Sequence, residues 1–202
     1  MKKVTCYFDG ATEPKNPGGA MGTGSIVKVD GLAVYTDTMF YAPKPTNTNN
    51  TSEYIGLGLV LKYILDNNLD DQDVTIMGDS QVAIKQMNGE YAINSGEYVK
   101  YAYRCKELIS KFRKKPVLFW IKREQNTEAD ELSKKALADN NIEVRTHSDD
   151  KTVLTFGKYS GKSVNEIEDI KYLEWLLKSV RMKGELRKII EERISSFHFL
   201  AK

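Results

Sequence analysis

Residues 75–86 read TIMGDSQVAIKQ: an apolar approach of strand character, then Asp79, then a run at helical spacing. An aspartate between a strand and a helix ordinarily caps the helix, accepting hydrogen bonds from first-turn N–H groups that lack partners. The flanking segments say which sheet this strand joins. Residues 3–8, 22–29 and 32–41 read as three strands, and Val29, Asp30 and Gly31 supply the Asp-Gly signal of a tight hairpin. Between 52 and 65, Leu57, Val60, Leu61 and Ile64 recur at helical spacing. A strand at 73–77, a helix at 80–87, a longer helix at 96–113, a strand at 116–121 and a helix at 127–139 follow. Antiparallel hairpins come first, then strands joined through helices, and a strand reached through a helix must cross over to lie parallel. The order predicts an α/β fold, a mixed sheet flanked by helices.

The chain has 202 residues, 41% of them apolar and 29% charged, which suits a globular protein of one ordinary domain plus a small annex. No apolar run approaches the ~20 residues that span a bilayer, and MKKVTCYFDG turns polar too early for a secretory signal, so the expected setting is cytoplasmic with no membrane partner. Cys6 and Cys105 are too few for a disulfide framework and read as buried thiols. The sequons at Asn49 and Asn50 carry no meaning without a secretory route. Net charge is only +2, but from Lys100 to Arg123 nine Lys or Arg residues face a single acid, Glu107. Such a run is usually a solvated helix face; beside an acidic metal site it also suits a phosphate backbone.

Three further acids share the placement of Asp79. Asp9 follows the apolar end of the first strand, Glu53 lies in the first turn of its helix on the inward face, and Asp130 opens the last helix. Each has a structural explanation, because Asn50 to Glu53 and Thr127 to Asp130 both fit a capping box and acids favour helix N-termini. Taken together the explanations weaken. Four carboxylates brought to one sheet edge repel one another unless a cation stands between them. Hard divalent ions with oxygen ligands meet that need, and two of them about 3.5–4 Å apart can serve both oxygens of a phosphodiester displacement.

Asp9-Gly-Ala-Thr12 with Asn16-Pro-Gly-Gly19, then TNNTSEY (48–54), GDSQ (78–81), WIKRE (120–124) and NTEADELSKKA (126–136) resemble the four-part signature of type 1 ribonuclease H. The resemblance covers residues 1 to about 140. It implies a ribonuclease H fold with a five-stranded sheet and hydrolysis of the RNA strand of RNA–DNA hybrids, leaving 5′-phosphate and 3′-hydroxyl ends. It also implies that Asp9, Glu53, Asp79 and Asp130 hold two Mg2+ or Mn2+ ions. Asn49, Asn50 and Gln81 match residues that touch the hybrid's minor groove, where amides suit the 2′-hydroxyl that separates RNA from DNA. Asn16 and Thr48 resemble a small polar pocket for a DNA phosphate. Polar turn chemistry is the alternative for all five. Two other activities stay open, a DNA nuclease on the same fold, such as a junction resolvase, and a non-catalytic hybrid-binding module.

Many members of that family carry a histidine shortly before the last acid. Residues 121–129 hold none; His147 and His198 lie far from it. Short members resembling archaeal enzymes also lack that histidine and the tryptophan-bearing basic protrusion, and here Lys114 and Lys115 are expected to serve hybrid binding. Residues 140–151 lose periodicity and read as a linker, giving a catalytic domain at 1–140, a linker at 141–151 and a small, mainly helical domain at 152–202. That piece reads as a hairpin, TVLTFGKYSGKS (152–163), and two amphipathic helices at 172–180 and 184–194. Gly157 to Ser163 is one residue short of a phosphate loop. FGKYSGKS followed by YLEWLLKS resembles the C-terminal module of exodeoxyribonuclease X, which implies no catalytic residues. The module is expected to bind nucleic acid or a protein partner, with Lys158, Tyr159 and Lys162 as candidates against a plain glycine-shaped hairpin.

Overall fold

The computed structural model describes residues 1–144, 154, 158–159, 164, 167, 169–179 and 185–200, with side chains to 195. Five strands form one sheet, β1 (Lys3–Glu13), β2 (Ala20–Val29), β3 (Leu32–Tyr41), β4 (Asp73–Gly78) and β5 (Val117–Trp120), in the order β3-β2-β1-β4-β5. The β1–β2 and β2–β3 pairs are antiparallel, whereas β4 joins β1 and β5 joins β4 in parallel. This is the expected mixed sheet. Four helices belong to the same unit: α1 (Asn49–Asp66), α2 (Gln81–Asn88), α3 (Val99–Ser110) and α4 (Thr127–Ala138). Eight successive residues of β2, Ala20 to Val27, are buried, as expected of a strand covered on both faces.

The core gathers Phe8, Tyr54, Leu57, Leu61, Ile64, Ile76 and Cys105 between the sheet and α1 and α3. Both cysteines are free and buried, as anticipated, and the Cys105 thiol donates to the Tyr54 carbonyl at 3.3 Å. Two glycines set how closely helices approach the sheet at the places that matter later. A Cβ on Gly10 would fall on the backbone nitrogen of Glu53, and one on Gly24 would fall on the carbonyl oxygen of Ala129. Lacking side chains, β1 and β2 let α1 and α4 settle almost onto their backbones.

Several boundaries differ from the sequence reading, for local reasons. Strand β1 continues to Glu13 because its antiparallel partner β2 pairs with it through Ala20, so Asp9 lies within the strand, opposite Gly24. Helix α1 starts at Asn49: Thr48 is its N-cap and accepts from the Thr51 N–H at 3.2 Å, so Asn50 and Glu53 do not form a capping box and Glu53 sits in the second turn. Helix α4 is capped by Asn126, with no side-chain cap hydrogen bond, and the Thr127–Asp130 capping box is absent as well. Asp79 is not a cap either. Ser80 fills that place, its hydroxyl accepting from the Ala83 N–H at 3.3 Å.

Contacts divide the chain into Met1–Val144 and Arg145–Lys202. In the second unit, α5 (Ile170–Ser179) and α6 (Glu185–Leu200) bury Leu154, Val164, Ile167, Leu173, Leu176 and Ile190. Most of the expected hairpin at 152–163, Lys162 included, lies outside the described residues, as does the linker from 145 onward. Lys158 and Tyr159 are both held by Asp169, the ammonium and the phenol each donating to its Oδ2 at 3.0 Å. Among the described residues no helix is long and apolar enough to cross a membrane.

Candidate functional site

Parallel pairing of β1 with β4 places Phe8 opposite Gly78, so Asp9, within β1, and Asp79, just past the end of β4, each follow that pair. Helix α1, drawn down onto Gly10, brings Glu53 beside them; α4, drawn down onto Gly24, brings Asp130. The chain thus gathers all four acids at one place, and their electrostatics show it.

Asp9 is 7% exposed, and its Oδ2 accepts from the Ser133 hydroxyl at 2.6 Å. Burial, helped by the charge of Asp79 and opposed by the Ser133 hydrogen bond, pushes its carboxyl up to about 6. Glu53 is pushed up to about 8, chiefly by burial, with the charges of Asp9 and Asp79 adding to it and a hydrogen bond from Ser80 opposing it. Asp79 accepts on Oδ1 from the Asn126 side-chain amide at 2.7 Å, while its backbone carbonyl accepts from the Trp120 indole at 3.0 Å.

Asp130 is equally buried, 7% exposed, yet differs in kind. Its Oδ1 takes a hydrogen bond from the Arg123 guanidinium at 2.6 Å and its Oδ2 pairs with the Lys134 ammonium at 2.7 Å. Burial works against its charge, but Lys134 and Arg123 outweigh it and hold the carboxyl below its usual range. Arg123 in turn is held above its usual value, with Asp130, Asp9 and Asp79 outweighing the cost of its own burial.

These side chains fit divalent cations by the chemistry of their donors: hard carboxylate oxygens, two of them, Asp9 and Glu53, raised above the usual carboxylate range by burial and by the charge of their neighbours. They do not form a closed cage. Among the described residues no three carboxylate, His or Cys groups converge closely enough to enclose an ion, and Asp130 is paired with Arg123 and Lys134.

The remaining predicted residues divide into two groups. Asn16, Thr48 and Asn49 meet at the N-terminus of α1. There the Asn16 Oδ1 accepts from the Asn49 N–H at 3.2 Å, and the Thr48 and Thr51 hydroxyls are 2.8 Å apart. Asn47 bolts the preceding turn to them, its amide donating to the carbonyls of Gly19 at 2.8 Å and Ala42 at 2.9 Å. Asn50 is half-buried on the same turn of helix, and Gln81 is exposed at the start of α2. A helix N-terminus is a favourable seat for a phosphate. Lys114 and Lys115 lie elsewhere, just before β5. The ammonium of Lys114 is paired with Asp73, and Lys115 is exposed. Much of the basic run is balanced locally: Glu107 pairs with Arg104 and Lys111, and Asp70 accepts two bonds from the Arg113 guanidinium at 2.8 Å.

Sequence reasoning did not single out Ser80, Arg123, Asn126, Ser133 or Lys134. A signal for two of them existed, since Asn126 and Ser133 are spaced four residues before and three after the predicted Asp130 and share a helix face with it. Arg123 left no such trace, because its partner is reached only through the turn at 123–125.

The reverse transcriptase-like family matches residues 8–136, which contain all four acids. Ribonuclease HI of Halobacterium salinarum is 34% identical over 139 residues; the match covers 68% of this chain and 65% of that protein, so the chain spans less than two thirds of its relative. Among solved structures, ribonuclease H1 of H. salinarum is similar with a TM-score of 0.59 at 29% identity, covering 68% of this chain and 98% of that one. The N-terminal ribonuclease H domain of rv2228c from Mycobacterium tuberculosis gives 0.61 at 26%, covering 70% and 97%. With the sheet order, the helix placement and the family match all falling on the first unit, the chain belongs to the reverse transcriptase-like family and carries the ribonuclease H fold.

Proposed function

We propose that the chain is a metal-dependent ribonuclease H that hydrolyses the RNA strand of RNA–DNA hybrids, leaving 5′-phosphate and 3′-hydroxyl ends. Residues 1–140 act as the catalytic domain and 152–202 as an accessory domain. The observation that carries this reading is the gathering of Asp9, Glu53 and Asp79, distant in sequence, into one pocket where burial and mutual repulsion lift two of them far above the usual carboxylate range. Folding alone gains nothing from such an arrangement, which suits a protein that works with cations bound.

Asp9, Glu53, Asp79 and Asp130 would hold two Mg2+ or Mn2+ ions. Such ions supply an activated water and stabilise the leaving oxygen of a phosphodiester. The protein's own contribution is positional. Thr48 and Asn16, at the positive end of α1, offer a seat for a backbone phosphate. Asn49, Asn50 and Gln81 carry side-chain amides that both donate and accept, as recognition of a 2′-hydroxyl requires. Arg123 supplies fixed positive charge in a pocket that is otherwise acidic, where a phosphate must enter. The name borne by the H. salinarum relative supports the same activity.

The test is cleavage of labelled hybrid, RNA duplex and DNA duplex by the purified chain with Mg2+, Mn2+ or EDTA, run beside Asp79→Asn. The expected result is metal-dependent cutting of the RNA strand of the hybrid alone, lost on substitution by on the order of 10³-fold, since several kcal/mol of charge stabilisation go with the ligand. Cutting of the DNA duplex would assign the site to a DNA nuclease, and tight hybrid binding without cutting would assign it to a binding module.

A further inference from the structure

Two neutral donors, Asn126 at the N-cap of α4 and Ser133 within it, hold carboxylates at the sheet edge. Asn126, 1% exposed, donates both hydrogens of its amide, one to the Phe8 carbonyl at 2.9 Å and one to Asp79 Oδ1 at 2.7 Å. Ser133, fully buried, lies 2.6 Å from Asp9 Oδ2 and 2.9 Å from the Asp130 carbonyl. We infer that Asn126 and Ser133 are positioning residues: each fixes one oxygen of a carboxylate at the sheet edge, Asp79 and Asp9 respectively, so that the other oxygen is presented to a divalent cation. This inference rests on the metal-dependent reading proposed above and adds to it the residues that aim its ligands.

The geometry leaves little freedom in how Asn126 stands. Both of its neighbours are acceptors, so the amide nitrogen must face them, and the amide cannot be turned over without setting oxygen against oxygen. Its own Oδ1 is buried without a hydrogen-bond partner. An orphaned oxygen of that kind costs about 1–3 kcal/mol. An apolar side chain of similar size would remove that cost but leave the buried Phe8 carbonyl and Asp79 Oδ1 without this donor, so the asparagine is kept for what its amide donates to. What the amide does that an apolar group cannot is hold Asp79 to the β1 backbone one residue before Asp9.

The two donors also differ from the cations next to them. Arg123 and Lys134 occupy both oxygens of Asp130 and cancel its charge. Asn126 and Ser133 are uncharged and occupy one oxygen each, so Asp79 and Asp9 are oriented while their capacity to attract a cation is kept. Among the described residues no other side chain donates to Asp79 Oδ2 or Asp9 Oδ1. Asn126, Asp130 and Ser133 stand in one row along α4, and the Asn126 carbonyl accepts from the Asp130 N–H at 3.0 Å, so one helix end sets three of the four acids at once.

The experiment is a Mn2+ titration of the full chain, reading free Mn2+ by electron paramagnetic resonance, for wild type, Asn126→Ala and Ser133→Ala. Melting in EDTA and steady-state cleavage of a hybrid at several Mn2+ concentrations accompany it. Outer hydrogen bonds to metal ligands are worth about 10–100-fold in affinity. Each variant is therefore expected to bind Mn2+ about 10–100-fold more weakly, to keep its KM for hybrid, and to recover kcat as Mn2+ is raised. A purely structural role would lower the melting temperature in EDTA and would not be rescued by metal. Folded variants that bind Mn2+ within twofold of wild type would overturn the inference. Should Asn126→Ala fail to fold, Ser133→Ala decides it, because that change removes one oxygen and an alanine fits the same space. Failure of the wild type to bind Mn2+ would instead sink the proposed function, and this inference with it.

Discussion

Asp9 and Asp130 are exposed to solvent to the same small degree in the same pocket, and the protein treats them in opposite ways. On one side Asp9, with Glu53 and Asp79, receives hydrogen bonds from neutral groups, Ser133, Ser80 and Asn126, and feels the charge of its fellows. On the other, Asp130 is bracketed by Arg123 and Lys134. The carboxyls of Asp9 and Glu53 are lifted to about 6 and about 8, whereas that of Asp130 is held low. Identical chemistry at equal solvent exposure therefore gives opposite outcomes: Asp9 is enclosed more deeply by protein and faces a neutral donor, whereas Asp130 is enclosed less deeply and faces two cations. The difference separates a half of the site still short of positive charge from a half already supplied with it.

The largest expected effect comes from removing charge on the first side. Asp9→Asn keeps the shape and can still accept from Ser133, but takes away a ligand and a source of repulsion. Hybrid cleavage should fall by on the order of 10³-fold while the metal-free protein melts at a higher temperature, since a buried carboxylate among like charges opposes folding. Loss of both activity and stability would mean that Asp9 is a structural residue.

The same imbalance predicts a pH dependence. The folded-state values of Asp9 and Glu53 lie above the ordinary values of 3.8 and 4.5, so the folded protein holds these protons more tightly than the unfolded chain. Their contribution to stability is then fully present below about pH 4 and is lost as pH rises through about 6 and about 8. With each unit of difference worth about 1.4 kcal/mol, metal-free protein should lose on the order of 5 kcal/mol between pH 5 and 8. Denaturant melts in EDTA measure this. Saturating Mg2+ should flatten the curve, most of all at its alkaline end, and a curve that is flat in EDTA would remove the electrostatic basis of the comparison.

How much of this was visible in the sequence depends on the distance over which each feature acts. The sheet was legible because strand-like runs at 3–8, 22–29 and 32–41 and the Asp-Gly turn at Asp30 and Gly31 are local signals. The four acids were legible because each stands in its own short motif. The two capping boxes fail because the caps, Thr48 and Asn126, lie two residues before Asn50 and one before Thr127, and at the third helix the cap is Ser80, one residue after Asp79. Capping depends on where the chain leaves the helix, which tertiary contacts decide. Arg123 and Lys134 were missed for a deeper reason. Lys134 stands four residues after Asp130, a helical spacing too common to be singled out, and only the folded turn at 123–125 brings the Arg123 guanidinium to the same carboxylate.

Arg123→Gln gives a sharper version of the contrast. It leaves Asp130 with Lys134 alone and withdraws positive charge felt by Asp9, Glu53 and Asp79. A charge-assisted hydrogen bond of about 1.5–3 kcal/mol no longer competes with an incoming cation, so Mn2+ affinity should rise about tenfold. The sign is opposite to that expected for Asn126→Ala, although both side chains touch an acid of the same pocket. Weaker Mn2+ binding in Arg123→Gln would mean that the guanidinium organises Asp130 rather than occupying it.

The smallest expected effect lies outside the pocket. Lys114 and Lys115 were expected to bind hybrid, yet Lys114 is already paired with Asp73 and both side chains sit at the surface, where water and salt screen them. If each nonetheless meets a phosphate, changing both to Ala should weaken hybrid binding a few-fold near physiological salt and reduce the slope of log affinity against log salt by about 2. The slope separates the cases better than the affinity does, because it counts displaced counterions and is indifferent to small changes in fold. An unchanged slope would leave Lys114 as a partner of Asp73 only, and would turn the search for hybrid-binding cations to residues not already paired with an acid.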